Sequence, residues 1–385
     1  NKFGIEFHYI LLNLLSNFLM LIFIYAQNVT RLHFSPYKFM GITIFNNLLG
    51  VFFGLLLIVQ FKMGLTGFFL GQFLAYLIAL PIDYYVMKTE LRFVLSRKIG
   101  ENLIRFGAPF IFVNIAFWLF GSFDRWMLGS MASTGEVGIY SVAARFGMVF
   151  LLMSSAFGQA WSPYAIKLFS DKKDYKTIYG KVLTRWFGVM LVTGSLVTLF
   201  SYEIITLLFP SSYHAAMVSL VFIVFGLVFQ ATTQITASGI SISKNTHVFS
   251  KIAWVMAGFN IALNYFLIPK YGAAGASFST LISYILLTLS YLFFTFKYHP
   301  FKFESLNFIA LSLISVFCII ISVYFSFIGG YLSKTIFKKF EGRILKALGK
   351  KVVIIPFGSD AYNYQLIRDP LMQYGLLRSQ TRHVF

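Results

Sequence analysis

One cysteine and 13 acidic residues stand among 385 positions, and charged residues of both signs make up only 12% of the chain, against roughly 25% in an ordinary soluble domain. The single thiol, Cys318, lies inside an apolar run and excludes an intrachain disulfide. The six histidines are scattered, and no His-Glu-x-x-His or paired-cysteine spacing occurs, so no metal site is expected. No Gly-x-x-x-x-Gly-Lys-Ser/Thr loop is present to drive work by nucleotide hydrolysis. No cofactor is expected. What fills the chain instead is apolar: 58% hydrophobic residues, 47 of them phenylalanine. A water-soluble enzyme is thereby excluded, because side chains in this proportion need a solvent as apolar as themselves.

Ten apolar runs, near 9–26, 39–60, 64–87, 106–131, 137–164, 182–209, 215–242, 249–268, 272–296 and 306–329, are each long enough to cross a bilayer as a helix. Strands are not expected, since membrane strands give shorter, alternating runs. The spacing therefore predicts an all-α polytopic membrane protein with about ten transmembrane helices. If the loop before the fourth run is cytoplasmic, that side gathers Arg31, Lys38, Lys88, Arg92, Arg97, Lys98, Arg105, Lys167, Lys172, Lys173, Lys176, Lys181, Arg185, Lys244, Lys251, Lys297 and Lys302. The opposite side holds only Lys62, Arg125 and Lys270, the asymmetry that the positive-inside rule demands. The net charge of +19 is thus topological up to residue 330, and nucleic acid is not an expected partner.

Beyond Gly330 the composition becomes soluble in character. Lys334, Lys338, Lys339, Arg343, Lys346, Lys350 and Lys351 precede the strand-like Val352-Val353-Ile354-Ile355 and a turn from Pro356 to Asp360. An amphipathic helix over 333–348 and the start of an α/β unit are expected there. Alternation would put this cationic tail outside, against the positive-inside rule, so either one helix is missing before it or the tail is foreign to the membrane unit.

Charges inside the runs are functional-site hypotheses. Arg145 lies one to two turns inside the fifth run, on a stripe with Ser141, Met148, Leu152, Ser155 and Gln159. Its guanidinium requires a carboxylate, for which Asp124 or Glu203 would serve, or a wet cavity and an anionic ligand. Asn114, Trp118, Gly121 and Arg125 share a stripe of the fourth run, and Asp124-Arg125 reads either as cavity lining or as an interfacial ion pair. Gln230, Thr233, Gln234, Ala237 and Ser241 form a neutral stripe in the seventh run, either helix-to-helix glue or a cavity wall. Gly67, Gly71 and Ala75, with Gly50 and Gly54, predict close helix packing.

Four stretches in order resemble one family. Asn260-Ile-Ala-Leu-Asn264-Tyr-Phe-Leu-Ile-Pro269-Lys-Tyr-Gly272-Ala-Ala-Gly275 resembles a helix-turn-helix of the polysaccharide-exporting flippases, in the multidrug/oligosaccharidyl-lipid/polysaccharide superfamily. Phe106-Gly-Ala-Pro109 with Asp124-Arg125, Glu136-Val-Gly138-Ile-Tyr140 through Arg145, and Leu208-Phe-Pro210-Ser-Ser-Tyr213 resemble further parts of it. The resemblance implies two helical lobes around a cationic cavity, and alternating-access export of undecaprenyl-diphosphate-linked oligosaccharide for O-antigen, capsule or exopolysaccharide. The place it implies is the bacterial inner membrane, beside a polysaccharide polymerase and glycosyltransferases.

The lobes it implies are an incomplete first lobe over 1–99, a second over 100–296, an additional helix over 297–330 and the tail over 331–385. Only three runs precede Phe106, and the first residue is Asn1, so the first three helices of that family are expected to be absent. The family's cavity cations map onto Arg145 and Arg125, with Lys251 and Arg31 as weaker candidates. Asp124, Gln159, Gln230 and Gln234 complete the expected cavity. A drug or metabolite exporter of the same fold is the alternative, followed by a membrane glycan ligase or polymerase, which the short, nearly uncharged external loops disfavour. The tail, from Lys351 to Asp360 with Leu366-Ile-Arg-Asp-Pro370, resembles an early part of a capsule-type glycosyltransferase.

Overall fold

The computed structural model describes residues 7–90, 96–171, 174–243 and 245–328. The expected tail helix, strand and turn beyond 328, together with Arg92, Lys172, Lys173 and Lys244, lie outside the described residues. Within them every regular element is helical. Three helices come first: α1 (Phe7–Leu32), α2 (Pro36–Leu55), which ends in a π-turn over Leu56–Gln60, and α3 (Gly64–Met87). There follow α4 (Arg97–Met131), α5 (Thr134–Ser170), α6 (Tyr175–Leu199) and the short α7 (Ser201–Leu208). The rest comprises α8 (Ala216–Ala231), α9 (Thr233–Thr236), α10 (Ser238–Ile242), α11 (Thr246–Tyr298) and α12 (Ser305–Ile328).

Nine helical stretches among the described residues are long and apolar enough to span a bilayer, and one of them crosses twice. The 53-residue α11 is interrupted at Gly272, whose φ of 53° and ψ of −131° only glycine adopts without strain. Asn264 and Thr280 both reach the carboxylate of Asp124, although a straight helix would hold them about 24 Å apart. The two halves of α11 therefore fold back side by side. The expected count of ten spans follows.

α1, α2 and α3 pack on one another, α4–α12 form a second group, and α1 meets α5 between them. At the centre of the second group lies the α8–α10 segment, most of it buried. α8 up to Phe229 is apolar on nearly all sides, as a helix enclosed by others must be, and the polar Gln230, Thr233, Gln234 and Ser241 gather around the breaks that follow. α5, α6, α11 and α12 surround it. The segment is also broken, at Thr232 and Ala237. Backbone carbonyls around the breaks are taken by neighbours: Trp186 Nε1 donates to Ala231 O at 3.1 Å, Thr288 to Phe229 O at 3.0 Å and Thr295 to Thr236 O at 2.6 Å. Broken backbone at membrane depth is tolerated where such donors or a cavity accept it.

The glycine ladders of α2 and α3 face each other. A Cβ at Gly71 would stand 2.5 Å from Gly54 N and 2.7 Å from its Cα, whereas a Cβ at Gly54 meets nothing within 4 Å. Gly71→Ala is expected to push the helices apart at a cost of about 1–3 kcal/mol, and Gly54→Ala to be tolerated. Thermal unfolding of the two purified variants checks this, and equal melting temperatures would contradict the packing.

Candidate functional site

The site forms where the two groups meet. α1 carries Gln27, Asn28 and Arg31 in its last turns, and the chain then reverses through Leu32–Pro36. That turn is closed by Phe34 N donating to Arg31 O and Ser35 N to Thr30 O, both at 3.0 Å. Phe34 pays for the reversal with a φ of 49°, and Pro36 starts α2 with a ring already set for a helix's first turn. The result is a wedge pointing at α5, where the Lys167 ammonium lies 4.8 Å from the centre of the Phe34 ring.

Arg31 is half-buried behind this wedge. Its guanidinium carbon lies 4.6 Å from the Phe39 ring centre. Its Nη atoms donate to Asn28 Oδ1 and Gln27 Oε1, both at 3.4 Å, long for a charge-assisted bond. Its buried Nε has no hydrogen-bond partner. Among the described residues the ion pairs are His33–Glu90 and Arg97–Glu101, so no described carboxylate neutralises Arg31.

A cavity of about 670 Å³ opens beside it, walled by Asn28 and Arg31 from α1, Ser154, Ser155 and Gln159 from α5, and Gln230 and Gln234 from the broken α8–α9 segment. A second cavity of about 560 Å³ shares Arg31, Ser155 and Gln159 and adds the aromatic faces of Phe34 and Phe39. Arg31 is the one charged side chain among the described residues lining either. Ser154 Oγ and Gln230 Oε1 are buried without partners, two polar atoms on this wall that a ligand hydroxyl would satisfy.

Of the residues singled out from sequence, Gln159, Gln230 and Gln234 are thus brought together. Arg145 is not with them: it is exposed and stands about 21 Å away along α5, at about 1.5 Å per residue. Arg125 is also separate, its Nη1 donating to Gly121 O at 3.3 Å and its guanidinium 6.0 Å from the Tyr140 ring. Asp124 is fully buried and accepts from Tyr140 Oη at 2.6 Å, Asn264 Nδ2 at 2.6 Å and Thr280 Oγ1 at 3.0 Å. It therefore ties α4, α5 and both halves of α11 together instead of lining a cavity or pairing with Arg145. A second tie at that end is Glu136, which accepts from Ala273 N at 2.6 Å just past Gly272. Its negative charge sits where the second half of α11 begins and complements that helix's dipole. No group of three or more His, Cys, Asp or Glu that would hold a metal occurs among the described residues.

Residues 9–218 match the profile of a family described as polysaccharide biosynthesis protein. A putative O-antigen transporter of Shigella flexneri is 24% identical over 220 residues, 56% of this chain and 52% of that protein. The capsular polysaccharide biosynthesis protein CapF of Staphylococcus aureus is 25% identical over 171 residues, 43% of each. An uncharacterized membrane protein of Methanocaldococcus jannaschii, MJ1068, is 25% identical over 50% of this chain and 39% of its own length. The chain spans about half, or less, of these relatives. Among solved structures, a mutant form of the Vibrio cholerae MATE transporter VcmN superimposes with a TM-score of 0.66 at 15% identity, covering 75% of this chain and 68% of that one. The lipid II flippase MurJ superimposes with a TM-score of 0.53 at 18% identity, covering 87% and 73%. With more than half of its length inside the matched profile, the chain belongs to the polysaccharide biosynthesis protein family, and its multi-pass helical bundle has the fold shared by MATE transporters and MurJ.

Proposed function

We propose that this protein moves a lipid-linked oligosaccharide, carried on a polyprenyl diphosphate, across the bacterial inner membrane by alternating access, for assembly of a surface polysaccharide. The observation that carries the reading is the pairing of one guanidinium lacking a carboxylate partner with walls made of neutral amides and hydroxyls. A guanidinium's planar fork matches phosphate oxygens, and neutral donors and acceptors match sugar hydroxyls. Arg31 takes the diphosphate first, at the end expected to be cytoplasmic. Arg145, on the same helix face as Gln159 and nearer the other end of α5, offers a second cationic station, with Arg125 beyond it. Repacking of the two lobes moves the opening from one side to the other, as in carriers with a midplane site. The glycan-assembling enzymes of such a pathway, a polymerase and glycosyltransferases, are its functional neighbours.

The test is translocation of a fluorescent polyprenyl-diphosphate disaccharide in proteoliposomes containing the chain, read by quencher access from each face. Protein-dependent equilibration of the label across the bilayer is expected. Unchanged sidedness together with active efflux of an amphiphilic cation would replace the reading with that of an amphiphile exporter.

A further inference from the structure

Behind Gln234, on the side away from α1, lies a separate cavity of about 240 Å³ within the second lobe. It shares Ser162, Ile166 and Gln234 with the main cavity, so the two adjoin along these exposed side chains. The position of Gln234 depends on Gly158 of α5, where a Cβ would come within 2.6 Å of Gln234 Oε1.

The chemistry of this inner cavity is specific. Among the described residues no Lys, Arg, Asp or Glu lines it, and its polar groups include the hydroxyls of Ser162, Tyr179, Thr233, Ser238 and Ser241 beside the Gln234 amide. Trp161 forms part of the wall, its Nε1 3.5 Å from Ser238 Oγ. An ionised ligand would find no counter-charge from the described residues there, and an acyl chain would leave the Ser162 and Ser241 hydroxyls and the Gln234 amide without partners, Thr233 and Ser238 being already bonded to backbone carbonyls. A ring bearing several hydroxyls, each both donor and acceptor, satisfies both conditions. The volume equals that of about eight liquid waters at about 30 Å³ each, enough for one hexose. We infer that the cavity beside Gln234 is a subsite for a single neutral sugar unit of the transported glycan, entered past the exposed Ser162, Gln234 and Ser241. This assignment rests on the lipid-linked-glycan reading above and adds which part of the substrate selects for fit.

The experiment uses the full chain in lipid nanodiscs, with tryptophan emission followed while methyl glucopyranoside, methyl N-acetylglucosaminide or methyl glucuronide is added. Geranyl diphosphate binding is measured in parallel as a sugar-free probe of Arg31. The two neutral glycosides are expected to give a saturable change in the low millimolar range, the weak affinity of a small polar ligand, and the glucuronide none. The change should vanish in Trp161→Phe, and half-saturation should rise at least tenfold in Ser241→Leu, which fills the cavity from an exposed position, with geranyl diphosphate binding kept within twofold. No glycoside response with Arg31-dependent geranyl diphosphate binding intact would overturn the subsite and leave the carrier reading standing. An equal response in Trp161→Phe, or to the glucuronide, would also overturn it. Loss of both probes' binding in the wild-type chain would sink the subsite and the carrier reading together.

Discussion

Asp124→Leu is expected to lower the melting temperature of the purified protein by roughly 2–5 °C, a loss of about 2–4 kcal/mol. The carboxylate is fully buried and receives three side-chain donors from three helical segments. Leucine fills its volume and returns none of the acceptors. Two donors have somewhere else to turn: Asn264 Nδ2 also lies 3.1 Å from Asn260 Oδ1, and Thr280 Oγ1 lies 3.0 Å from Ala276 O. The Tyr140 hydroxyl donates to Asp124 at 2.6 Å and has only the neutral Thr280 hydroxyl beside it, so it loses its charged acceptor. Hydrogen bonds between membrane helices average about 0.6 kcal/mol and reach about 1.7, so the three lost bonds, with the weakly paired Tyr140 hydroxyl left buried, account for the loss. The double variant Asp124→Leu/Tyr140→Phe should therefore be more stable than Asp124→Leu alone. Strict additivity of the two single effects would show that the carboxylate acts by packing, not as a shared acceptor. Arg125→Ala, which loses only a long bond to its own helix, is expected to shift the melting temperature little.

That contrast explains what the sequence made legible. Adjacent in sequence, Asp124 and Arg125 invite reading as an ion pair, yet neighbours on a helix point about 100° apart. One turns into the lobe and the other away from it. A signal for this was present in Asn260 and Asn264, one turn apart, and Thr280 just beyond the Gly272 break, all at the depth of Asp124. Apolar run length located the spans because bilayer thickness acts on each run separately. The facing glycine ladders were legible for a similar reason, since small residues at helical spacing allow close approach whatever the partner. The cavity was only half visible. Gln159, Gln230 and Gln234 stand out as amides in apolar helices, but run length places Arg31 beyond the first apolar run, in a loop. α1 in fact continues to Leu32 and holds Arg31 in its last turn. Only the juxtaposition of α1 with α5, set by packing across the chain, turns a loop cation into a cavity cation.

Arg31→Ala is expected to weaken binding of a lipid diphosphate by about 30- to 1,000-fold, corresponding to about 2–4 kcal/mol. A charge-assisted hydrogen bond contributes about 1.5–3 kcal/mol, and the Arg31 fork, with Nη bonds of 3.4 Å and a free Nε, has donors to redirect to phosphate at small cost. Arg31→Lys keeps the charge and loses the bidentate geometry, so its loss should fall between wild type and alanine. The stacking of the guanidinium on Phe39 supplies a control. Phe39→Leu keeps the charge but removes the ring that holds it, and is expected to raise the apparent dissociation constant less than tenfold. Arg145 separates binding from movement. Standing about 21 Å along α5 from Gln159, it does not line the Arg31 cavity. Arg145→Ala should thus leave equilibrium binding of geranyl diphosphate near wild type while slowing translocation of the full lipid-linked disaccharide. Equal losses of binding in Arg31→Ala and Arg145→Ala would mean that the two cations serve one station, and a transport defect in Arg31→Ala without a binding defect would remove Arg31 from the diphosphate site altogether.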